Sequence, residues 1–446
     1  MIAPTLPIGK IVQGDALEVL RGWPARSVQT CITSPPYWGL RDYGLGGTGQ
    51  QIGLEATPEL HVARLVEVFR EVRRVLRDDG TLWLNYGDAY AAGGTGGYSD
   101  KSTLAGFTNP HTKGRTMNEA PIPRKAPHGL KPKDLIGLPW MLAFALRDDG
   151  WWLRSDIVWA KGRSFDPEGA GSVMPESVRD RPTRSHEYMF LLTKRARYFY
   201  DAEAVREEGT GRASGNVEAK MGDQYGRPGH HRAQSIPWDG GNGGRNLRSV
   251  WLINPQPYAG AHFATFPEAL VEPCIRAGTS ERGACPACGA PWVMMVKASG
   301  GTIGEDWRPD KTNISTARDP VKNVAARAWE NGSYQRSTTG WAPSCGCTAP
   351  HPALRAPLSV REGEKPAPHE PRPCVVLDPF AGSGTTGMVA ARLGRAFVGI
   401  DLAGGDKDMG GHTAHDRIRA AAEGRTTEEA ARARIHGQQD FFEAGA

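Results

Sequence analysis

Residues Val375 to Gly387 read Val-Val-Leu-Asp-Pro-Phe-Ala-Gly-Ser-Gly-Thr-Thr-Gly, a short apolar run joined to a helical stretch by a glycine-rich turn, and few folds accommodate that junction. A helix is expected from about Thr385 to Leu393, stopped by Gly394, and a strand from Ala396 to Ile400 follows. Strand, helix and strand in this order form a βαβ unit, which requires parallel strands with a crossover helix. Glycine lets a backbone approach a ligand closely. Asp401 closes the second strand about twenty residues past the first glycine, where an acidic side chain typically holds ribose hydroxyls. An adenosine-containing ligand is implied. Gly382, Gly384 and Gly387 also satisfy the dinucleotide fingerprint literally, but only about sixty residues follow, too few for a second mononucleotide half. A P-loop is excluded because the Lys-Ser/Thr ending is missing. A packing turn without a ligand remains the plain alternative.

The same grammar runs through the rest of the chain. Apolar runs at Ile8–Gly14 and Val28–Thr33 end at Asp15 and at Ser34-Pro35-Pro36. Thr57-Pro58 caps a helix in which Leu65, Val66, Phe69, Val72 and Leu76 keep helical spacing until Asp79-Gly80, and a strand at Thr81–Asn85 follows. A helix at Leu135–Arg147, a stop at Asp148-Asp149-Gly150 and an apolar run at Trp151–Trp159 repeat the pattern, and Glu187–Thr193 adds another strand. Alternation of this kind predicts an α/β fold: a doubly wound, mostly parallel sheet with helices on both faces and ligands beyond the carboxyl ends of its strands. A chain of 446 residues exceeds one ordinary core, and 56 Gly and 34 Pro promise long loops. Three segments break the rhythm: 91–132, 202–246 and 280–373. The tail after Asp416 reads as one terminal helix.

Thr33-Ser34-Pro35-Pro36-Tyr37-Trp38 sits at the end of a predicted strand. Two consecutive prolines fix two φ angles and remove two N–H donors, leaving a stiff turn rich in acceptors next to a large aromatic ring. Acceptors beside a stacking face suit a nucleobase. An exocyclic amine is a poor nucleophile because its lone pair is delocalised into the ring, and the Ser34 hydroxyl and Pro35 carbonyl could hold its hydrogens. Tyr37 would stack on a base swung out of the duplex. Catalysis would rest on positioning and electrostatics, with no covalent intermediate. An isolated Pro-Pro-Tyr would more simply be a β-turn beside a core tyrosine.

Together, Thr33 to Tyr37 near the front and Asp378-Pro379-Phe380-Ala381-Gly382-Ser383-Gly384-Thr385-Thr386 near the end resemble the amino-group DNA methyltransferases of the β arrangement, in which the catalytic half precedes the cofactor half. Gly80–Asp88, Ser155–Lys161, Arg181–Lys194 and His262–Pro267 are similar to that family too. The resemblance implies a Rossmann-like methyltransferase fold, S-adenosylmethionine as cofactor and double-stranded DNA as partner. It implies that Ser34, Pro35, Pro36 and Tyr37 form the catalytic turn. Asp378, Phe380, Gly382 and Gly384 would contact the methionine part of the cofactor, Asp401 its ribose and Asp15 its adenine, with Thr265 and Phe266 closing over the methionyl end. Serine before Pro-Pro-Tyr leans towards cytosine N4 rather than adenine N6. RNA or a protein amide as acceptor, and a binder that has lost activity, are the alternatives. After Asp401 the chain runs Leu402-Ala403-Gly404-Gly405-Asp406, where relatives often enter a helix directly, so cofactor contacts are assigned no further than Asp401. A homodimer and a cognate restriction endonuclease are compatible with the family.

Cys285-Pro286-Ala287-Cys288-Gly289 and Cys345-Gly346-Cys347 supply two ligand knuckles within 280–373, the spacing of a small zinc ribbon. The metal set is therefore Cys285, Cys288, Cys345 and Cys347, with unliganded surface cysteines as the alternative. Pro273-Cys274 and Pro373-Cys374 echo the Pro-Cys nucleophile of cytosine C5 methyltransferases, but both cysteines fall where a small apolar residue fits. The expected layout is a catalytic half at 1–201, target recognition at 202–248, a return to the core at 249–279, a zinc-ribbon-like insertion and linker at 280–373, and the cofactor half at 374–446. Basic residues from Arg179 to Arg248 could hold phosphates, although acids are interleaved with them and the net charge is only +5. Lacking an apolar signal core or membrane-length run, the chain is expected to be cytoplasmic and nucleoid-associated.

Overall fold

The computed structural model describes residues 6–39, 51–91, 130–162, 178–207, 245–256, 266–299, 335–347, 370–406, 413–427 and 429–430, together with positions 164, 173 and 176. Thr265, named above for the cofactor, lies outside them, as do the basic residues between 208 and 244 and most of 91–132, 202–248 and 280–373.

The described chain begins with β1 (Lys10–Gln13), α1 (Ala16–Arg21), β2 (Val28–Thr33), α2 (Pro58–Val75) and β3 (Leu76–Tyr86). It continues with α3 (Leu138–Asp148), β4 (Trp152–Ala160), β5 (His186–Thr193), β6 (Val250–Leu252) and α4 (Glu268–Gly278). A pair, β7 (Trp292–Ser299) and β8 (Gln335–Pro343), precedes β9 (Val375–Asp378), α5 (Thr385–Arg392), β10 (Ala396–Asp401) and α6 (Ala414–Glu423). Eight strands make one sheet in the order β1-β10-β9-β2-β3-β5-β4-β6. Five neighbouring pairs are parallel, and only β5 runs against its two neighbours. The sheet is mostly parallel and doubly wound, as expected.

Side chains alternate across the pleat and so feed two cores. Cys31, Leu82, Leu84, Leu377 and Val398 pack with α1, α2 and α3 on one face. Ile32, Trp83, Val376 and Phe397 pack with α4, α5 and α6 on the other. The strand order reverses between β9 and β2, because one path leads from β9 to β10 and β1 and the other from β2 to β3. A crevice opens at such a switch point.

One expectation needs correction. The helix expected to reach Asp79-Gly80 ends at Val75, because Leu76 turns extended (φ −64°, ψ 142°) and pairs with Val28. The register then shifts between Val28 and Thr30, which absorbs the extra residues as an irregularity in β3. Segment 280–373 also contributes the antiparallel pair β7–β8, and β6 extends the sheet beyond β4; neither was legible in the apolar pattern.

Candidate active site

Both sequence motifs leave the sheet at its switch point. β2 ends at Thr33 and β9 at Asp378, and the two strands are neighbours through Thr30↔Val376 and Cys31↔Leu377. The Thr33 hydroxyl donates to Asp378 Oδ1 at 2.7 Å, joining residues 345 apart in sequence. Asp378 Oδ1 also accepts the Phe380 N–H at 3.0 Å, and Oδ2 accepts the Thr386 hydroxyl at 2.7 Å. Burial pushes this carboxyl up to about 6 against the pull of those three donors. Asp378 therefore ties the Ser-Pro-Pro-Tyr turn, the glycine-rich turn and α5 together.

The glycine-rich turn uses glycine where the backbone demands it. Gly382 (φ 50°) and Gly384 (φ 78°) lie in the left-handed region, which strains any residue with a Cβ. Asp401 Oδ2 accepts the Gly382 N–H at 3.1 Å and Oδ1 accepts the Ala403 N–H at 2.8 Å, so this residue braces the turn from the end of β10. Phe380 is half-buried against the α1–α3 core. Asp15 follows β1 and caps α1, its Oδ1 accepting the N–H groups of Leu17 and Glu18. The carboxyl ends of β2, β9, β10 and β1 are consecutive along the sheet, and they carry Ser34, Asp378, Asp401 and Asp15 in that order. Phe266 lies apart, packed against the α4–α6 core ahead of α4.

In the Ser-Pro-Pro-Tyr turn Pro35 is buried, while Ser34, Pro36 and Tyr37 are half-buried. The Tyr37 hydroxyl donates to Glu187 Oε2 at 2.8 Å and lies 3.2 Å from Asn85 Oδ1 and 3.5 Å from the Ser34 hydroxyl. Asn85 Nδ2 donates to Glu187 Oε2 at 3.2 Å, and Lys161 pairs closely with Glu187 Oε1. Burial, then the Glu187 charge, raises the Tyr37 phenol well above its ordinary value, which keeps it a neutral donor. Its ring tilts at 47° against Tyr86, centroid to centroid 4.7 Å. Tyr86 is braced in turn: its hydroxyl meets His61 Nε2 at 2.7 Å and accepts the Trp38 N–H at 3.3 Å. A Cβ at Gly87 would come within 2.8 Å of Tyr37 Cε2, so only glycine leaves room for this ring.

Glu187, Asn85 and Lys161 were not singled out from sequence, although each sits in a stretch that carries the resemblance. The available signal is that Asn85 and Glu187 are polar residues at the ends of apolar strands. Antiparallel β5 returns its amino end, with Glu187, to the edge where β3 delivers Asn85 and β4 delivers Lys161.

The other candidates separate by position. Cys274 is buried in α4 with its thiol raised by burial, and Cys374 is buried ahead of β9, at the opposite sheet edge from the Ser-Pro-Pro-Tyr turn. Neither is placed as a nucleophile. Lys194 and Arg195 pair with Asp78 at that opposite edge, while Arg245 and Arg248 pair with Glu207 and Arg184 with Asp88. Arg181 stacks over the Tyr90 ring at 3.8 Å from its centroid. Cys285, Cys288, Cys345 and Cys347 form one cluster, with all four sulfurs within 4.8 Å of one another.

Known proteins resemble this chain over both turns. The family model described as DNA methylase, of the N6/N4 methyltransferases, matches residues 28–285 and 369–407, spanning both turns. The Type II methyltransferase M.XycI of Xanthomonas campestris pv. cyanopsidis is 50% identical over 270 residues, which cover 60% of this chain and 72% of that protein. M.SfiI of Streptomyces fimbriatus is 31% identical over 420 residues, 87% of each chain. Among solved structures, the cytosine-N4-specific PvuII DNA methyltransferase aligns with a TM-score of 0.43 and 14% identity, covering 96% of this chain and 91% of that one. This chain belongs to the DNA methylase family of S-adenosylmethionine-dependent amino-methyltransferases, whose members act at N4 or N6.

Proposed function

We propose that this protein is a site-specific DNA methyltransferase acting on cytosine N4 in double-stranded DNA. The observation that carries the reading is the 2.7 Å bond from Thr33 to Asp378, which sets the acceptor-rich Ser-Pro-Pro-Tyr turn against the glycine-rich turn at the switch point. Serine at position 34, ahead of Pro-Pro-Tyr, favours cytosine over adenine.

S-adenosylmethionine supplies an activated methyl group when bound. The residues fit such an elongated ligand: a left-handed glycine turn, then Asp401, then Asp15 follow one another along the carboxyl ends of adjacent strands. In this reading Gly382, Gly384 and Phe380 shape the methionyl end, Asp401 meets the ribose and Asp15 the adenine. Asp378 acts by positioning, since its oxygens already accept three bonds. Ser34 and the Pro35 carbonyl accept the hydrogens of the target amine, which favours its pyramidal, nucleophilic form. Tyr37 presents a ring to a base turned out of the stack, and Glu187, Asn85 and Tyr86 hold that ring in place. Segment 202–248 is assigned to recognition of the surrounding sequence.

Mass spectrometry of nucleosides from unmethylated duplex DNA, incubated with the protein and S-adenosylmethionine, tests the assignment. N4-methylcytosine is expected. N6-methyladenine would correct the base and keep the site, whereas no methylated base with cofactor bound would overturn the reading.

A further inference from the structure

The cysteine cluster stands apart from the methyl-transfer site and is built as a metal centre. The first knuckle is closed by two backbone bonds, Gly289 N–H to the Cys285 carbonyl at 2.8 Å and Cys285 N–H to the Ala290 carbonyl at 2.8 Å. Gly289 takes φ 72°, the left-handed value that closes such a turn. This knuckle leads into β7, and the second, Cys345-Gly346-Cys347, follows β8. Because β7 and β8 pair antiparallel from Trp292↔Pro343 to Ser299↔Gln335, the start of one strand lies beside the end of the other, and the two knuckles meet. The Ser344 hydroxyl donates to the Pro291 carbonyl at 2.6 Å and fastens that end.

A tetrahedral zinc with Zn–S near 2.3 Å needs its sulfurs about 3.8 Å apart, and the four sulfurs here already lie within 4.8 Å of one another. Among the described residues, β7 and β8 bury little apolar surface of their own. Val293 and Met295 are exposed, and a two-stranded pair by itself is marginal in water. A metal would supply the missing stability. Four soft thiolates with no oxygen ligand favour zinc or iron over hard cations, and zinc adds no redox chemistry.

The cluster is also docked. Arg77, at the start of β3, donates to the Cys288 carbonyl. Gln29, buried near the start of β2, donates to the Gly289 carbonyl at 3.2 Å and accepts the Val375 N–H, at the start of β9, at 2.6 Å. Ala284 and Arg372 exchange backbone bonds of 2.7 and 2.9 Å, pairing the first knuckle with the segment that enters β9. A Cβ at Gly283 would lie 2.4 Å from the Arg372 carbonyl oxygen, so glycine is what permits this pairing. All these contacts are at the amino ends of the strands.

We propose that Cys285, Cys288, Cys345 and Cys347 hold a structural zinc ion that clamps the inserted hairpin to the amino ends of β2, β3 and β9. The two motif-bearing strands are thereby fastened from behind, at the sheet edge opposite the catalytic turn. With four protein ligands the ion keeps no open position and takes no part in methyl transfer.

The test is metal analysis of the full-length chain, purified untagged and without chelator, together with its unfolding midpoint in urea. About one zinc per chain is expected. Changing both exposed ligands, Cys288→Ser with Cys347→Ser, should lower the metal content about tenfold and lower the midpoint. Gln29→Ala should keep the zinc and still lower the midpoint, which separates the clamp from the ion. Iron in place of zinc, four free thiols without metal, or disulfides among these cysteines in intact-mass analysis would overturn the site. An unchanged midpoint in Gln29→Ala would overturn the clamp.

Discussion

Tyr37 shows how much of a side chain's behaviour is set by its neighbours. Its hydroxyl is spent on Glu187 and Asn85, so the ring is the part free to meet a base. Tyr37→Phe keeps the ring but leaves Glu187 and Asn85 short of a donor; about a tenfold loss in kcat is expected, the size of one hydrogen bond to a charged group. Tyr37→Ala should cost about a hundredfold or more while leaving cofactor affinity unchanged by equilibrium titration. Asp401→Ala should do the reverse, weakening cofactor binding about tenfold or more, because it removes the proposed ribose partner together with the brace on Gly382. The opposite pattern would exchange the two roles. Asp378 gives a pH signature. Its carboxyl, raised by burial to about 6, lies above the roughly 3.9 of an unfolded aspartate. The folded protein therefore holds this proton more tightly than the unfolded chain, and the stability contributed by the group falls as pH rises from about 4 to about 6, then stays level. The unfolding free energy of wild type minus that of Asp378→Asn should thus be smaller at about pH 7 than at about pH 4.5. A larger difference at the higher pH would mean that the three donors outweigh burial.

Among the elements, α5 illustrates why a glycine fingerprint is more than a ligand motif. Gly382 and Gly384 meet a backbone requirement, whereas Gly387 meets a packing one: a Cβ there would lie 2.7 Å from Ile418 Cδ1 and from two atoms of the Phe397 ring. Glycine at this position lets α5 pack closely between β10 and α6. Gly387→Ala should destabilise the fold by about 1 to 3 kcal/mol, the usual cost of overpacking a tight core, as read by urea unfolding. Wild-type stability would show that α6 shifts to make room. The elements read most accurately from sequence were those with strong local signals. β2 was expected and found at Val28–Thr33, bounded by Ser34-Pro35-Pro36, and α2 begins at the Thr57-Pro58 cap. Its far end was misplaced because Leu76 satisfies helical spacing and strand pairing equally, and the partner Val28 decides between them. β6 has three residues and β8 is rich in Ser, Thr and Gly, so neither carries a two-residue period strong enough to read.

On the scale of the whole molecule, the sheet is assembled from both ends of the chain. β1 lies beside β10, and His415 Nε2, on α6, accepts the Ile11 N–H at 2.9 Å, so residues 404 apart are in contact. Strand order, rather than the position at which the backbone is opened, is therefore expected to hold the site together. A permutant that joins Ala446 to Met1 and begins at Glu370 should fold and bind S-adenosylmethionine within about threefold of wild type. A soluble, cooperatively folding permutant without cofactor affinity would show that the native connection into β9 is itself part of the site. The sequence alone determined the α/β class, the two strand-to-turn junctions, the residue types on them and the paired cysteine spacing. These depend on side-chain period, proline and glycine chemistry and ligand spacing, all of which act over a few residues. Only the tertiary structure decided that β2 and β9 are neighbours, that Thr33 reaches Asp378, that antiparallel β5 brings Glu187 to Tyr37, and that the cysteine cluster sits behind the sheet. Strand order and docking arise from contacts between residues hundreds of positions apart, and no local period or propensity encodes them.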